Sequence, residues 1–230
     1  MATLGSRSLF HMGNAVKLAA EDALNKLNQL KSELQMPPDA AIPEIFKKKY
    51  GMQAGNVVGT GSYVPSYKSP DANGLTDNAT PFWMVGGSGA EIEVDTETGR
   101  VRVARLVNVA DVGTPINPKI VETQLSGAAI MQLGFTLFEK MLFDEHGQLR
   151  NASLAEYRIP GFLDVPEEII NEAVSAEQRS GPFGAKGVGE TGTFGVSPAI
   201  ANALHDAVGV RLTVLPLNPE SIFTELQKAK

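Results

Sequence analysis

The residues best suited to chemistry lie in one glycine-rich stretch, GPFGAKGVGETGTFGVS at positions 181–197. The stretch contains six glycines, one lysine (Lys186) and one carboxylate (Glu190). Glycine allows close approaches that a side chain would block, so this composition is typical of main chain that lies against a ligand. We predict that Glu190 is a general base and that the surrounding loop cradles a cofactor. The alternative is a solvated surface glutamate, because most charged residues are exposed.

A second candidate lies at the beginning of the sequence, where the small and polar residues TLGSRS at positions 3–8 precede a long predicted helix. Apolar residues recur at three- and four-residue steps from Val16 to Leu34, and Pro37-Pro38 ends the pattern. Unpaired N–H groups and the helix dipole make such a helix start a site for an anion. Plain N-capping by the serines is the alternative.

A third candidate is Gln124, which lies in a helix predicted over 118–140 with Asn117 as its N-cap. Gln124, Gly127 and Gly134 share roughly one side of this helix. A glycine within a helix costs about 1 kcal/mol relative to alanine, which is tolerable where another backbone or a ligand must come close. Helix–helix packing explains the same glycines, so a ligand role for Gln124 is one of two interpretations.

The elements that must position these residues follow from periodicity and turn residues. A hairpin is predicted to join strands at 90–94 and 101–109. Other helices are predicted at 42–50, at 198–208 and from Asn218-Pro219 to the C-terminus, and other strands at 53–68, in a hairpin over 141–159 and at 210–215. Strands cluster rather than alternate strictly with helices, so the predicted fold class is α+β, a mixed β-sheet with packed helices in one domain over 1–230.

Composition excludes several classes of function. The chain has 230 residues, a net charge of -6, no cysteine and three widely separated histidines. It can therefore form no disulfide, thiolate nucleophile, cysteine-ligated zinc or iron–sulfur site, and no protein-ligated metal is predicted. The negative charge argues against a nucleic-acid partner. No apolar run of membrane-spanning length and no signal peptide is present, so we expect a cytosolic protein.

The letters of positions 187–192, GVGETG, match the G-x-G-x-x-G pattern of dinucleotide-binding folds. That motif requires a preceding strand, a helix beginning within it and an acid about 20 residues later. The predicted helix begins only at Pro198, and the next predicted strand ends at Leu215-Pro216 without an acid. We therefore reject a nicotinamide dinucleotide as the ligand of this motif.

Several separated stretches together resemble the molybdenum hydroxylases, the xanthine dehydrogenase and aldehyde oxidase family. They occur in the same order, as TLGSRS (3–8) with GNAV (13–16), DVG (111–113) with INP (116–118), QLSG (124–127) with QLG (132–134), YRIP (157–160), GAKGVGE (184–190) and LPLNPE (215–220). The resemblance covers the C-terminal half of the family's molybdenum-binding subunit. The other half, which brings further cofactor contacts and most substrate-orienting side chains, has no counterpart in this sequence.

The resemblance implies a molybdenum ion held by the dithiolene of a pterin, which can be extended to a cytosine dinucleotide. Glu190 would accept a proton while an aldehyde or N-heterocycle gains an oxygen derived from water, and Gln124 would hydrogen-bond the pterin. The other implied cofactor contacts are four residues before the first helix and two loop glycines: Gly5, Ser6, Arg7, Ser8, Gly187 and Gly189.

The resemblance also implies partners, because electrons must leave by a route that this chain lacks. We expect the N-terminal half of the molybdenum subunit, an iron–sulfur subunit and a subunit carrying FAD, besides a small-molecule substrate. One alternative is a non-catalytic cofactor-binding or scaffold half-domain without turnover of its own. Another is a nucleotide-binding domain that uses the glycines at 187–192.

Overall fold

The structure is a computed structural model that describes residues 3–228. These residues divide into two compact units, of which the first contains 3–6, 83–178 and 185–228 and the second contains 7–82 and 179–184. The described elements are the helices α1 (Ser8–Glu33), α2 (Ile42–Tyr50), α3 (Pro118–Leu137), α4 (Val196–Val208) and α5 (Pro219–Lys228), and the strands β1 (Gly86–Val94), β2 (Val101–Asp111) and β3 (Glu168–Val174). The prediction of a single domain over 1–230 stays a prediction.

The first unit is built on a three-stranded mixed sheet in the order β1-β2-β3. The predicted hairpin is confirmed: β1 and β2 pair antiparallel, and the Asp95 carboxylate closes their turn by accepting from Glu97 N–H and from the Thr98 hydroxyl. β3 pairs parallel with the other edge of β2. Parallel neighbours need a crossover connection, and here α3 lies in the segment between β2 and β3.

The core of the first unit lies where α3, α4 and α5 pack against β2. Apolar side chains from all four elements form one cluster, which includes Leu106, Leu133, Ile200 and Ile222 at 0% exposure. Burying side chains of this size contributes about 1.5–3 kcal/mol each. The core includes Val196, the first residue of α4, and therefore holds the C-terminal end of the glycine-rich segment.

In the second unit, α1 begins at Ser8 and ends at Glu33, before Pro37-Pro38 as predicted. Its most buried residues are Phe10, His11 and Asn14, whereas Val16 is 65% exposed. The predicted apolar stripe is therefore wrong at its N-terminal end. The helix buries the side that begins at Phe10, where rings of Tyr63 and Phe82 pack.

Residues 53–68 were predicted as a strand, and this prediction is wrong. The segment runs along α1 and bonds to its side chains: Thr60 N–H donates to the Asp22 carboxylate, and Lys26 Nζ donates to Val58 O. A Cβ at Gly59 would overlap the carbonyl oxygen of Ala19. The glycines thus bring extended backbone against a helix, so the segment has no strand as its partner.

Two other predicted strands differ from the structure. The hairpin over 141–159 is reduced to one bridge between Phe143 and Leu149. Residues 210–215 form no strand; the chain there leads to Leu217, whose N–H donates to Thr136 O of α3. The predicted helices at 42–50, 118–140 and 198–208 and the last helix are confirmed with small shifts at their ends. The α+β class is confirmed. No helix within residues 3–228 combines the length and apolar character that a membrane span needs.

Candidate functional site

The glycine-rich loop is attached to the end of β2. Gly113 has a φ of 61°, which turns the chain after Asp111, and its N–H donates to the Asp111 carboxylate at 3.0 Å. Gly113 then forms an isolated bridge with Ala185, and Lys186 N–H donates to Val112 O at 3.0 Å. The first part of the loop is therefore an extension of the sheet.

Lys186 is one of the few buried charges of the chain, with 8% of the residue exposed. Its Nζ lies 2.6 Å from the Asp111 carboxylate and also donates to Trp83 O at 3.2 Å. Burial alone would raise the pKa of Asp111. The hydrogen bond from Lys186, those from the N–H groups of Gly113 and Ala176, and the charge of Lys186 outweigh it, so the pKa lies below its usual 3.8. Lys186 thus neutralises Asp111 through a direct ion pair.

Glu190 lies where the loop meets the beginning of the chain. Its N–H donates to Ser6 Oγ at 2.8 Å, and its carbonyl oxygen accepts from the Thr193 hydroxyl at 2.8 Å. A Cβ at Gly189 would lie 3.1 Å from Ser6 Oγ, so glycine makes this approach possible. The Glu190 side chain is exposed, and within residues 3–228 no hydrogen bond or ion pair holds its carboxylate.

Gln124 reaches the same loop from α3. Asn117 caps this helix by accepting from Ile120 N–H, as predicted, and Gln124 is exposed two turns later. Its Nε2 donates to Gly189 O at 2.7 Å. The structure therefore brings Ser6, Gln124, Gly189 and Glu190 together within the first unit.

The glycines of α3 have different surroundings. At Gly134 a Cβ would lie 2.8 Å from Pro160, so packing explains this glycine. At Gly127 nothing lies within 4 Å of the position of a Cβ, and the residue is exposed. Packing against Pro160, which lies outside any helix, therefore accounts for Gly134, and nothing within residues 3–228 explains Gly127.

The beginning of the chain has an unusual backbone. Gly5 and Ser6 have φ values of 59° and 54°, and a left-handed serine is strained. The N-cap position of α1 is Arg7, which makes no side-chain capping bond, and the Ser6 hydroxyl accepts a hydrogen bond from Glu190 N–H. Plain N-capping, the alternative weighed above for the serines, is therefore wrong for Ser6 and Arg7. Within residues 3–228 the side chain at the N-cap position therefore leaves the first N–H groups of α1 uncapped.

Two buried nitrogen atoms near the start of α1 have no hydrogen-bond partner in the described chain: Arg7 Nε and His11 Nε2. His11 Nδ1 lies 2.9 Å from Arg7 O and must donate to it, since a carbonyl oxygen only accepts. His11 Nε2 in neutral histidine is then an unpaired acceptor. An unpaired buried group costs about 1–3 kcal/mol, so these atoms suit a site that a polar ligand completes.

Arg7 and Ser8 belong to the second unit, whereas Gly5 and Ser6 belong to the first. Gly187 is buried between Lys186 and Gly189. Within the described residues no group of three histidine, aspartate or glutamate side chains is placed to hold a metal ion. The roles predicted for Glu190 and for the cofactor-contacting residues stay predictions.

The G-x-G-x-x-G pattern serves packing in this structure. A Cβ at Gly192 would lie 2.8 Å from Leu125 O and 3.0 Å from the Ala128 side chain, so Gly192 brings the loop onto α3. α4 begins only at Val196, and the described segment 175–186 contains no strand beyond the bridge of Ala185. The arrangement differs from a dinucleotide-binding turn, in agreement with the sequence analysis.

Sequence reasoning gave no role to the ion pair of Lys186 with Asp111 or to the buried Thr191, which is 4% exposed and contacts Met84 Sδ. A signal for the ion pair was available. Lys186 is the one cation within an otherwise small and apolar stretch, and a lysine that is buried there requires an acidic partner. The sequence could not say which acid this is.

The sequence was compared with known families. A family described as a molybdopterin cofactor-binding domain matches residues 1–166. The probable hypoxanthine oxidase XdhD of Escherichia coli (strain K12) is 33% identical over 234 residues, which cover 94% of this chain and 23% of that protein. The aldehyde oxidoreductase molybdenum-binding subunit PaoC of the same organism is 36% identical over 141 residues, covering 61% of this chain and 19% of that protein.

The fold was compared with solved structures. The aldehyde oxidoreductase from Desulfovibrio gigas superposes with a TM-score of 0.80 at 26% identity, covering 98% of this chain and 23% of that one. The chain thus spans less than a quarter of each of these three relatives.

Proposed function

The chain belongs to the family of molybdopterin cofactor-binding domains, and from this premise we propose that it supplies the general base and part of the cofactor site of a molybdenum hydroxylase. The substrate class proposed is an aldehyde or an N-heterocycle. The names of two relatives, a probable hypoxanthine oxidase and an aldehyde oxidoreductase, support these two classes. The observation that carries the proposal is that Ser6 and Gln124 bond to the backbone of the loop at Glu190 and Gly189, while no hydrogen bond or ion pair within residues 3–228 holds the Glu190 carboxylate.

The residues of the first unit fit a pterin cofactor. Ser6 Oγ accepts from Glu190 N–H, which leaves its own proton free to donate. Gln124 donates to Gly189 O and keeps Oε1 as an acceptor for a ring N–H.

When bound, the molybdenum–pterin group supplies the redox chemistry by which substrate gains an oxygen derived from water. In this proposal Glu190 accepts the proton released in that reaction, because it is the only carboxylate of the loop. The peptide group that joins Gly189 to Glu190 is held by two hydrogen bonds, because its N–H donates to Ser6 Oγ and its oxygen accepts from Gln124. The exposed side chain of Glu190 therefore starts from a defined position. A positioned base of this kind contributes about 10²- to 10⁴-fold in rate.

The decisive experiment is Glu190→Gln in the assembled enzyme, with Glu97→Gln in the β1–β2 turn as the matched control. Glutamine keeps the shape and removes the base. We expect normal molybdenum content in both variants and a loss of kcat of several orders of magnitude, at least about 10²-fold, in Glu190→Gln alone. A fully loaded Glu190→Gln enzyme with near-normal kcat would refute the role of Glu190.

The proposed partners are the remaining polypeptide of the molybdenum subunit, an iron–sulfur subunit and an FAD subunit. Two further relatives are named as subunits, the 6-hydroxypseudooxynicotine dehydrogenase complex subunit gamma and the nicotine 6-hydroxylase large subunit of Paenarthrobacter nicotinovorans. Co-purification after co-expression with the neighbouring gene products tests these partners. The proposed compartment is the cytoplasm, which cell fractionation tests.

A second candidate function is a cofactor-binding or scaffold domain without turnover of its own. The bonds from Ser6 and Gln124 hold the backbone of the loop and not the Glu190 carboxylate, which is the observation that favours it. The two functions differ in molybdenum content. Molybdenum that appears on co-expression, together with turnover, supports the hydroxylase; a complex that assembles without molybdenum in any combination supports the scaffold.

A further inference from the structure

Lys186 is fastened to the end of β2 by both its backbone and its side chain. The backbone N–H donates to Val112 O at 3.0 Å, next to the bridge between Gly113 and Ala185. The Nζ donates to the Asp111 carboxylate at 2.6 Å and to Trp83 O at 3.2 Å. Only 10% of the lysine side chain and 16% of the Asp111 side chain are exposed. Each charge therefore depends on the other for compensation.

The segment between Lys186 and Glu190 has little rigidity of its own, because it consists of Gly187, Val188 and Gly189. Its path is set by its two fastened ends. One end is the ion pair at Lys186, and the other is the pair of hydrogen bonds from Gln124 to Gly189 and from Glu190 to Ser6. Four residue steps span at most about 14 Å, so the position of Lys186 limits where Glu190 can lie.

We infer that Lys186 is a positioning residue for Glu190: its buried ion pair with Asp111 fastens the glycine-rich loop to the sheet and thereby holds the Glu190 backbone where Ser6 and Gln124 meet it. The lysine acts through position rather than charge, because its ammonium group points at Asp111 and is compensated there. The inference rests on the proposed function in one respect only, namely that the positioned carboxylate of Glu190 acts as a base.

The first test measures amide hydrogen exchange in peptides that cover residues 187–191 of the full chain. The variants are Lys186→Met, Asp111→Asn and the two combined. Each single variant leaves one buried polar group without its partner, and we expect exchange at 187–191 to become at least about tenfold faster. The double variant should exchange about as fast as either single variant, since all three lose the same ion pair and the two effects are therefore not additive.

The matched control is Arg102→Met. Arg102 lies on β2, as Asp111 does, and pairs with Glu93 at 2.7 Å, but its side chain is 47% exposed. Exposed pairs contribute little, so exchange at 187–191 should stay at the wild-type rate. Unchanged exchange in both Lys186→Met and Asp111→Asn would overturn the inference, as would additive effects in the double variant.

Lys186→Arg covers the case in which a single variant fails to fold. Arginine keeps a charge within reach of Asp111, so exchange at 187–191 should stay within about threefold of wild type. A tenfold rise in this variant would mean that the packing of the lysine, rather than the ion pair, fastens the loop, and would overturn the inference.

The second test is the pH profile of kcat in the assembled enzyme. A positioning role lowers kcat in Lys186→Met and Asp111→Asn alike and leaves the acidic midpoint of the profile in place. An electrostatic role would raise that midpoint in Lys186→Met, because a nearby cation lowers the pKa of a carboxylate, and would overturn the inference. Exchange needs no turnover. If exchange is faster in the variants but the wild-type assembly never turns over, the inference about Lys186 stands and the proposed function is refuted.

Discussion

The glycine-rich loop lies so close to α3 at Gly192 that one added methyl group should change the free energy of unfolding, with a sign that depends on where it is added. A Cβ at Gly192 would lie 2.8 Å from Leu125 O and 3.3 Å from Leu125 Cα, roughly half an ångström short of an ordinary contact with the oxygen. The clashing atoms are backbone atoms of a helix and cannot turn aside. Neither Gly192 nor Gly127 has a positive φ, so alanine is free of backbone strain at both positions.

The expected effects of alanine at the two positions are opposite. Overpacking at Gly192 should lower the free energy of unfolding by about 1–3 kcal/mol, because the loop must move off α3 or the helix must shift. At Gly127, on the same helix, nothing lies within 4 Å of the new methyl group. Alanine there should raise the free energy of unfolding by up to about 1 kcal/mol through its greater helix propensity.

The assay is urea unfolding of the chain followed by far-ultraviolet circular dichroism. The two variants should differ by about 1–4 kcal/mol, which at a urea slope near 2 kcal/mol/M separates their midpoints by roughly 0.5–2 M. A Gly192→Ala midpoint at or above that of wild type would refute the argument that only glycine fits against Leu125 at this position. A destabilised Gly127→Ala would show that the outer side of α3 is covered in the folded chain.

Two further effects follow from buried polar contacts in the first unit. Ser197→Ala should lower the free energy of unfolding by about 1–3 kcal/mol, because Gln132 Nε2 and the fully buried Thr136 hydroxyl both lie 2.7 Å from Ser197 Oγ and would lose this partner; equal urea midpoints for variant and wild type would contradict this. The lowered pKa of Asp111 means that its ion pair stabilises the fold fully above the unfolded-state pKa, near 3.9, and that this contribution is lost as pH falls through the lower folded-state pKa. Stability measured from pH 6 down to pH 2 should therefore be higher for wild type than for Asp111→Asn at pH 6, and the two curves should converge below about pH 4; parallel curves would contradict the ion pair.

Local signals in the sequence were sufficient for most helices and for the β1–β2 hairpin. Asn117 before Pro118 predicts the start of α3, and the structure has Asn117 capping it. Gly209 stops α4 with a φ of 71°. Capping, turn geometry and side-chain periodicity act over a few residues, so they can be read without knowledge of the rest of the chain.

The same local signals were insufficient for β3 and for residues 53–68. β3 has the sequence EIINEAV, in which polar and apolar residues do not alternate, and it becomes a strand because β2 offers a free edge. Residues 53–68 form no strand in the structure, and residues 59–60 pack along α1 instead. An extended conformation is a local property, whereas its hydrogen-bond partner depends on which surfaces the folded chain brings near.

The sequence by itself determined that one acid, Glu190, lies in a flexible glycine-rich loop, and that this loop contains no cysteine or histidine that could be a metal ligand. Only the tertiary structure decided which residues meet that loop: Ser6 bonds to it from 184 positions away, and Gln124 from 65. It also decided that Lys186 pairs with Asp111, 75 positions away, and not with Glu190. The physical reason is that residue types and spacing state what a side chain can bond to, while the packing of α3 and β2 in a common core decides what lies within hydrogen-bonding distance.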